Sequence, residues 1–268
     1  MSDPTILERI VDQRRRDVDA DRLATPLDAM QRCADEAPPP IDFAERLRRD
    51  APMAVIAEMK RASPSKGDIA PEIDAAAQAL AYAEAGASGI SVLTEPTWFK
   101  GTLADLRAAR QAIEAFGKAR PAVLRKDFII DAYQVFEARA AGADSVLLIV
   151  AALDNRSLAE LIGCSRGCGM EPLVEVNNAD EMRRAIDAGA RVIGINNRDL
   201  HSFDVDLSTT ERLASMVPGG VTLAALSGIS SRKDVERFQR AGATAVLVGE
   251  ALMRADDPRK KIAELQGR

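Results

Sequence analysis

A single closed (β/α)8 barrel is the fold this sequence predicts, and three observations carry the prediction. A strand-then-helix alternation begins at residue 53 and repeats through eight units. The triplet Ala-Gly-Ala recurs around Gly86, Gly142, Gly189 and Gly242, where a left-handed glycine can end one helix before the next strand. Apolar residues make up 47% of the chain and aromatics only 4%, so the core is aliphatic, as buried parallel strands require. Eight repeats with short connections fit a closed barrel better than an open doubly wound sheet, and no glycine-rich dinucleotide fingerprint follows the first strand.

In chain order, residues 1–50 lack strand character. Ile6, Leu7, Ile10 and Val11 lie on one helical stripe, Arg14 to Arg16 follow, and Ala37-Pro38-Pro39-Pro40 breaks the chain. The stripe needs an apolar partner, and the expectation is an N-terminal helical extension packed on a catalytic barrel spanning 51–268. The strands are short aliphatic or β-branched runs at 53–59, 89–93, 121–125, 144–150, 172–176, 191–195, 221–226 and 245–248. Amphipathic stretches such as 73–85, 103–116, 133–141 and 180–188 lie between them with apolar positions at helical spacing.

Composition removes several function classes. The formal net charge is −5 and the basic residues are spread along the chain, so there is no stripe to follow a nucleic-acid backbone. The longest apolar run, 145–153, is far below the roughly 20 residues of a membrane-spanning helix and reads as a buried strand. The first ten residues carry charge and no long apolar region follows, which gives a cytoplasmic protein without a membrane partner as the expectation. Cys33, Cys164 and Cys168 are too few and odd in number for a disulfide framework, and with His201 as the single histidine they fall short of a zinc ligand set, so no metal is expected.

In such a barrel the reacting groups come from the C-terminal ends of the strands. Strand 1 ends in Glu58 and Lys60, strand 3 in Arg125, Lys126 and Asp127, strand 5 in Glu175 and Asn177, and strand 6 in Asn196, Asn197 and Arg198. Glu58 and Lys60 are two apart and share a face, and Lys126 and Glu175 can converge on them from other strands, giving an acid-base set. Any one of these charges can be a solvated strand end; four after apolar runs on three strands exceed what burial needs. Strands 7 and 8 end in Ser227-Gly228-Ile229-Ser230 and Gly249-Glu250, small residues whose amides can approach a phosphate where barrels often hold one. Trp98, Phe99 and Phe128 follow strands 2 and 3 in a chain poor in aromatics, which points to an aromatic ligand or to packing against the extension.

The segment Ile56-Ala57-Glu58-Met59-Lys60-Arg61-Ala62-Ser63-Pro64-Ser65-Lys66-Gly67 closely resembles the signature of indole-3-glycerol-phosphate synthases. Leu124-Arg125-Lys126-Asp127-Phe128, Leu173-Val174-Glu175-Val176-Asn177, Ile193-Gly194-Ile195-Asn196-Asn197-Arg198-Asp199-Leu200 and Leu247-Val248-Gly249-Glu250-Ala251-Leu252-Met253 also look like family motifs, in family order, and the likeness covers residues 5 to about 265. It implies the same barrel and extension, and a cofactor-free conversion of 1-(2-carboxyphenylamino)-1-deoxyribulose 5-phosphate into indole-3-glycerol phosphate, with loss of carbon dioxide and water. By that resemblance Lys126 matches the general acid on the ketone and Glu58 the carboxylate that orients it. Lys60 matches a substrate contact that acts again in dehydration, and Glu175 the carboxylate that stabilises the cationic intermediate or takes its proton. Asn196 matches a ribulose-hydroxyl contact, and Arg198 a holder of the substrate carboxylate. Pro64, Phe99, Phe128, Leu147 and Leu200 match the slot for the aromatic ring; Ser63, Ser227, Gly228, Gly249 and Glu250 match the phosphate cradle.

One position departs from the common pattern. Leu226 stands before Ser227-Gly228 where most bacterial members have Glu, and this resembles fungal members, in which the barrel is usually one module fused to other tryptophan-pathway domains. Three other readings compete. The neighbouring pathway isomerase uses Cys and Asp, whereas strand 1 here ends in Glu and Lys. A Schiff-base aldolase would use Lys60 or Lys126 as nucleophile. An inactive scaffold is encouraged by Leu226 and opposed by the four retained charges.

Overall fold

The computed structural model describes residues 4–50, 53–199 and 203–268. Eight parallel strands close into a barrel: β1 (Ala54–Met59), β2 (Gly89–Leu93), β3 (Ala122–Lys126), β4 (Ser145–Ile149), β5 (Leu173–Val176), β6 (Val192–Asn196), β7 (Thr222–Leu226) and β8 (Ala245–Val248). Closure joins β1 to β2 in the register Ile56↔Gly89 and to β8 in the register Ala54↔Ala245. The structure is the (β/α)8 barrel that the alternation predicts, with strand boundaries within two residues of those read from the sequence. A two-stranded ribbon, Ala62–Ser63 against Gly67–Asp68, stands on the loop after β1 and was not anticipated.

Side chains alternate in and out along each strand, and this separates two cores. Outward residues such as Val55, Ala57, Val123, Leu148 and Val246 pack against the helices. Inward residues, among them Ala54, Ile56, Leu124, Leu147, Leu173, Val192, Leu226 and Leu247, fill the barrel. Two positions further along the same inward rows lie Glu58, Lys126, Glu175 and Gly249. The period of two that builds the apolar plug therefore carries the polar groups into the mouth.

The extension has three helices: α1 (Ile6–Ala24), α2 (Leu27–Glu36) and α3 (Phe43–Arg49). Thr5 and Glu8 form a reciprocal capping box that starts α1. Its buried face is Leu7, Ile10, Val11, Arg14 and Val18, one helical stripe with a guanidinium in it; Ile6 is only half-buried. Helix α2 lies on α6 (Ala132–Ala140). The Tyr133 hydroxyl at the head of α6 donates to the carbonyls of Asp21 and Thr25 at 3.1 and 3.0 Å. The proline run separates α2 from α3. Phe43 and Leu47 of α3, both fully buried, join the inward cluster and stopper the N-terminal end of the barrel.

The remaining helices are α4 (Ala75–Glu84), α5 (Leu103–Ala112), α7 (Asn155–Gly167), α8 (Ala179–Asp187), α9 (Ser208–Ala214), α10 (Arg232–Arg240), α11 (Glu250–Met253) and α12 (Pro258–Gln266). Side chains of Asp74, Thr102, Asp131, Asp154, Asn178 and Ser231 cap six of the helices that follow a strand, and Asp257 caps α12, so most reversals from strand to helix are locally encoded; α9 and α11 start without a side-chain cap. Gly86, Gly142, Gly189 and Gly242 all have positive φ, as the recurring triplet requires. Among the described residues, no helix is long and apolar enough to cross a membrane, and no cluster of three metal-ligating side chains occurs.

Candidate active site

The C-terminal mouth holds an open cleft lined by charged groups and by apolar side chains, the mixed lining of a small-molecule site. Its charged floor comes from β1, β3 and β5. The Lys60 ammonium lies 2.6 Å from Oε1 of Glu58, and the Lys126 ammonium 3.8 Å from Oε2 of Glu175. Both carboxylates are buried and both ammonium groups are about one-fifth exposed, so each pair has its acid inside and its cation facing the cleft. Glu58 makes its closest contact with Lys60 rather than with Lys126.

Burial by itself would raise the Glu58 pKa. The fields of Lys60 and Lys126 and the hydrogen bonds from Lys60 and Ser91 outweigh it, holding the carboxyl below its ordinary range and therefore charged. Space fixes the same group: a Cβ on Gly249 would sit 2.7 Å from Oε1 of Glu58. Glycine at the end of β8 thus leaves the room that the β1 carboxylate occupies. On β5, Glu175 accepts a hydrogen bond from Asn196 at 2.8 Å, while its other oxygen is buried without a hydrogen-bond partner and faces the Lys126 side. Asn196 also accepts from the Arg198 amide at 3.0 Å, and the Arg198 guanidinium donates to the Phe203 carbonyl at 2.8 Å. The β5, β6 and β6-loop groups are therefore linked.

Above the charges is the apolar slot. Phe99 and Phe128 meet with ring centroids 6.0 Å apart and tilted by 41°, and Pro64, Leu93, Leu147 and Ile149 complete the wall. Trp98 does not line it. The loop that presents Phe99 is organised by Glu95, a fully buried carboxylate that accepts from the amides of Thr97, Trp98 and Phe99 at 2.9, 2.7 and 2.9 Å. Sequence reading missed Glu95; its only signal is a carboxylate directly after an apolar strand. Phe203, with φ +62°, also reaches the cleft, whereas Leu200 lies outside the described residues.

Ser227, Gly228, Gly249 and Glu250 gather on the β7–β8 side of the mouth, and Ser63 lines the cleft from the loop after β1. Ser227 and Gly228 have φ of +65° and +79° in succession, and a Cβ at Gly228 would meet Leu207 and Val205 at 2.6 Å, so glycine is required there. Asn197 holds this loop by donating to the carbonyls of Leu226 and Ser227 at 3.0 and 3.2 Å. Glu250 would repel an anion if unpaired, but Arg254 and Lys66 lie 3.1 and 3.9 Å from it. Leu226 is buried among the inward residues beneath these groups, so the missing carboxylate is replaced by barrel packing.

Two of the strand-end charges read as mouth candidates belong elsewhere. Arg125 and Asp127 alternate with Lys126 and so point out of the barrel, where Arg125 binds Asp127 at 2.9 Å and Glu137 at 2.8 Å. Asp127 also accepts from Thr94 at 2.6 Å and from the Phe128 amide at 2.8 Å, and it meets Arg14 of α1 at 3.2 Å. Burial would raise the Asp127 pKa, but Arg125 and Arg14 hold it below the ordinary range.

Fold and mouth together place the chain among the (β/α)8-barrel enzymes. The sequence model of the family described as indole-3-glycerol phosphate synthase matches residues 7–265. A multifunctional tryptophan biosynthesis protein of Schizosaccharomyces pombe is 63% identical over 229 residues, covering 85% of this chain and 30% of that protein. A protein of the same description from Phanerodontia chrysosporium is 57% identical over 268 residues, covering 98% and 34%. An indole-3-glycerol phosphate synthase of Roseiflexus sp. is 49% identical over 265 residues, covering 98% of both chains. The chain belongs to the indole-3-glycerol phosphate synthase family. It spans about a third of the length of the two fungal relatives. Among solved structures, the 3-hexulose-6-phosphate synthase of Salmonella typhimurium aligns with a TM-score of 0.62 at 17% identity, covering 80% of this chain and 97% of that one, a likeness of fold alone.

Proposed function

We propose that this barrel converts 1-(2-carboxyphenylamino)-1-deoxyribulose 5-phosphate into indole-3-glycerol phosphate, carbon dioxide and water, without a cofactor. The observation that carries the reading is the juxtaposition of two lysine–carboxylate pairs beneath an aromatic slot in one mouth. A flat ring fits between Phe99, Phe128, Pro64 and Leu147, and the phosphate fits against the amides around Ser227, Gly228, Gly249 and Glu250, with Ser63 across the gap. With ring and phosphate so held, the ketone of the substrate is taken to lie over the lysines.

The Lys126 ammonium protonates the ketone oxygen as the ring carbon bearing the carboxylate attacks the ketone carbon, so the new carbon–carbon bond forms while the ring becomes cationic. The Glu175 oxygen that lacks a hydrogen-bond partner is available to stabilise that cation. Loss of carbon dioxide restores the aromatic ring, and Arg198 holds the carboxylate until then. The hydroxyl formed from the ketone leaves as water after a second proton transfer, with Lys60 as donor and Glu175 as acceptor of the proton lost from the ring system. Charged Glu58 keeps Lys60 in place through the 2.6 Å contact and adds its field at Lys126. Asn196 contacts a ribulose hydroxyl and holds Glu175.

The protein works in the cytoplasm. The barrel acts as one module among other tryptophan-pathway domains, a reading supported by its fungal relatives, which are multifunctional tryptophan biosynthesis proteins. Carbon dioxide released per indole formed, measured with and without borohydride, tests the chemistry. One equivalent, insensitive to borohydride, is expected; inactivation by borohydride with substrate attached to Lys60 or Lys126 would replace the acid-base scheme with an imine.

A further inference from the structure

The charge network behind β3 has a member from outside the barrel. Arg14 is 4% exposed and sits in the buried stripe of α1, where Leu7, Ile10, Val11 and Val18 set the pattern of apolar residues. A guanidinium in such a stripe needs a partner, and it finds Asp127: Nε lies 3.2 Å from Oδ1 and Nη2 donates to Oδ2 at 3.3 Å. The carboxylate is held on every side, by Arg125 at 2.9 Å, Thr94 at 2.6 Å and the Phe128 amide at 2.8 Å. Arg14 also binds Asp17, one turn along its own helix, at 2.7 Å, so two buried cations, Arg14 and Arg125, meet the buried carboxylates of Asp127 and Glu137 and the partly exposed one of Asp17.

The position of Asp127 in the chain gives this network its meaning. It lies between Lys126 and Phe128, and all three residues border the cleft, Asp127 with its side chain fully buried. Its carboxylate points the other way and holds the Phe128 amide. We propose that Arg14 is a positioning residue for the reaction: through Asp127 the extension fixes the backbone that aims Lys126 at the ketone and Phe128 at the ring. Without Arg14 the network keeps Arg125 against two buried carboxylates, and the grip on the Phe128 amide loosens. The extension is tethered elsewhere by Arg22, 2.6 Å from Asp131, and by Tyr133, so loss of Arg14 removes the link to β3 while the helix stays docked.

The inference rests on the proposed reaction, so wild-type turnover is measured beside Arg14→Met, Arg14→Lys and Arg22→Met, with circular dichroism to confirm folding. For Arg14→Met, kcat falls about tenfold or more, as a displaced acid requires, and KM stays within about threefold. Arg14→Lys keeps the charge but offers one nitrogen to two oxygens, and its kcat falls between the two. Arg22→Met, which loosens the extension without touching Asp127, keeps the wild-type kcat. Folded Arg14→Met with wild-type kcat, or an equal loss in Arg22→Met, overturns the positioning role while leaving the reaction intact. If Arg14→Met does not fold, Arg14→Lys decides: a kcat loss of about threefold supports the role and wild-type kcat overturns it. No turnover by the wild type overturns both readings.

Discussion

Gly249→Ala tests whether the room at the end of β8 sets the position of Glu58. The new Cβ would lie 2.7 Å from Oε1 of Glu58 and 3.4 Å from its Cβ and Cδ, where ordinary contacts begin at 3.4 Å. A gap of about 0.7 Å must therefore open. Glu58 is 3% exposed and confined by Lys60 at 2.6 Å and Ser91 at 3.4 Å, so it cannot swing into solvent. The β1 and β8 backbones are joined in register up to Ala57↔Val248, which restrains the strands. The carboxylate takes most of the shift and its geometry with Lys60 is lost. A displacement of this size costs kcat about tenfold to 100-fold. Overpacking lowers stability by about 1–3 kcal/mol. The residue 249 amide remains, so KM should change by less than about threefold. Steady-state indole formation and urea unfolding measure these quantities, with Gly219→Ala, whose Cβ enters open space, as control. Wild-type kcat in folded Gly249→Ala would refute the claim that this contact places Glu58.

Three other predictions follow from the same geometry. The folded-state pKa values of Glu58 and Asp127 lie below their ordinary 4.5 and 3.8, so their stabilising contribution is fully present above those values and is lost as pH falls through the depressed ones. Urea unfolding between neutral pH and pH about 3 should show that loss, with a shallower acid slope in Asp127→Asn; identical slopes would contradict it. Phe99→Ala opens one wall of the slot and should raise KM about tenfold or more through lost aromatic contact, with kcat less affected, as initial rates across substrate concentration would show. Gly163 is exposed within α7 and a Cβ there meets nothing within 4 Å, so Gly163→Ala should stabilise by about 0.4–1 kcal/mol; a lower urea midpoint would count against it.

The barrel was legible because period-two strands and capped helices are local signals. Ile56 and Glu58, Leu124 and Lys126, and Leu173 and Glu175 are two apart, so one alternation predicts both the apolar plug and the charges above it. The same rule, applied strictly, separates Arg125 and Asp127 from Lys126; grouping all three by strand end obscured it. The contact of Glu58 with Lys60, two apart at the end of one strand, is local, whereas the pairing of Lys126 with Glu175 depends on how strands close around the barrel, which local sequence does not record. Arg14 was visible only as the start of a basic run, though its spacing from Ile10, Val11 and Val18 marks it as buried. Glu95 and Asn197 act on backbone groups of loops, and single charged or amide side chains after a strand carry no pattern that foretells such bonds. The loop ribbon after β1 escaped because two-residue strands have no periodicity.

The most direct test of the central claim is indole fluorescence during incubation with 1-(2-carboxyphenylamino)-1-deoxyribulose 5-phosphate, with wild type beside Lys126→Ala; Trp98, the single tryptophan, adds the same background to both. The account predicts a rise that Lys126→Ala abolishes; no rise in folded wild type, or an equal rise in the variant, would contradict it.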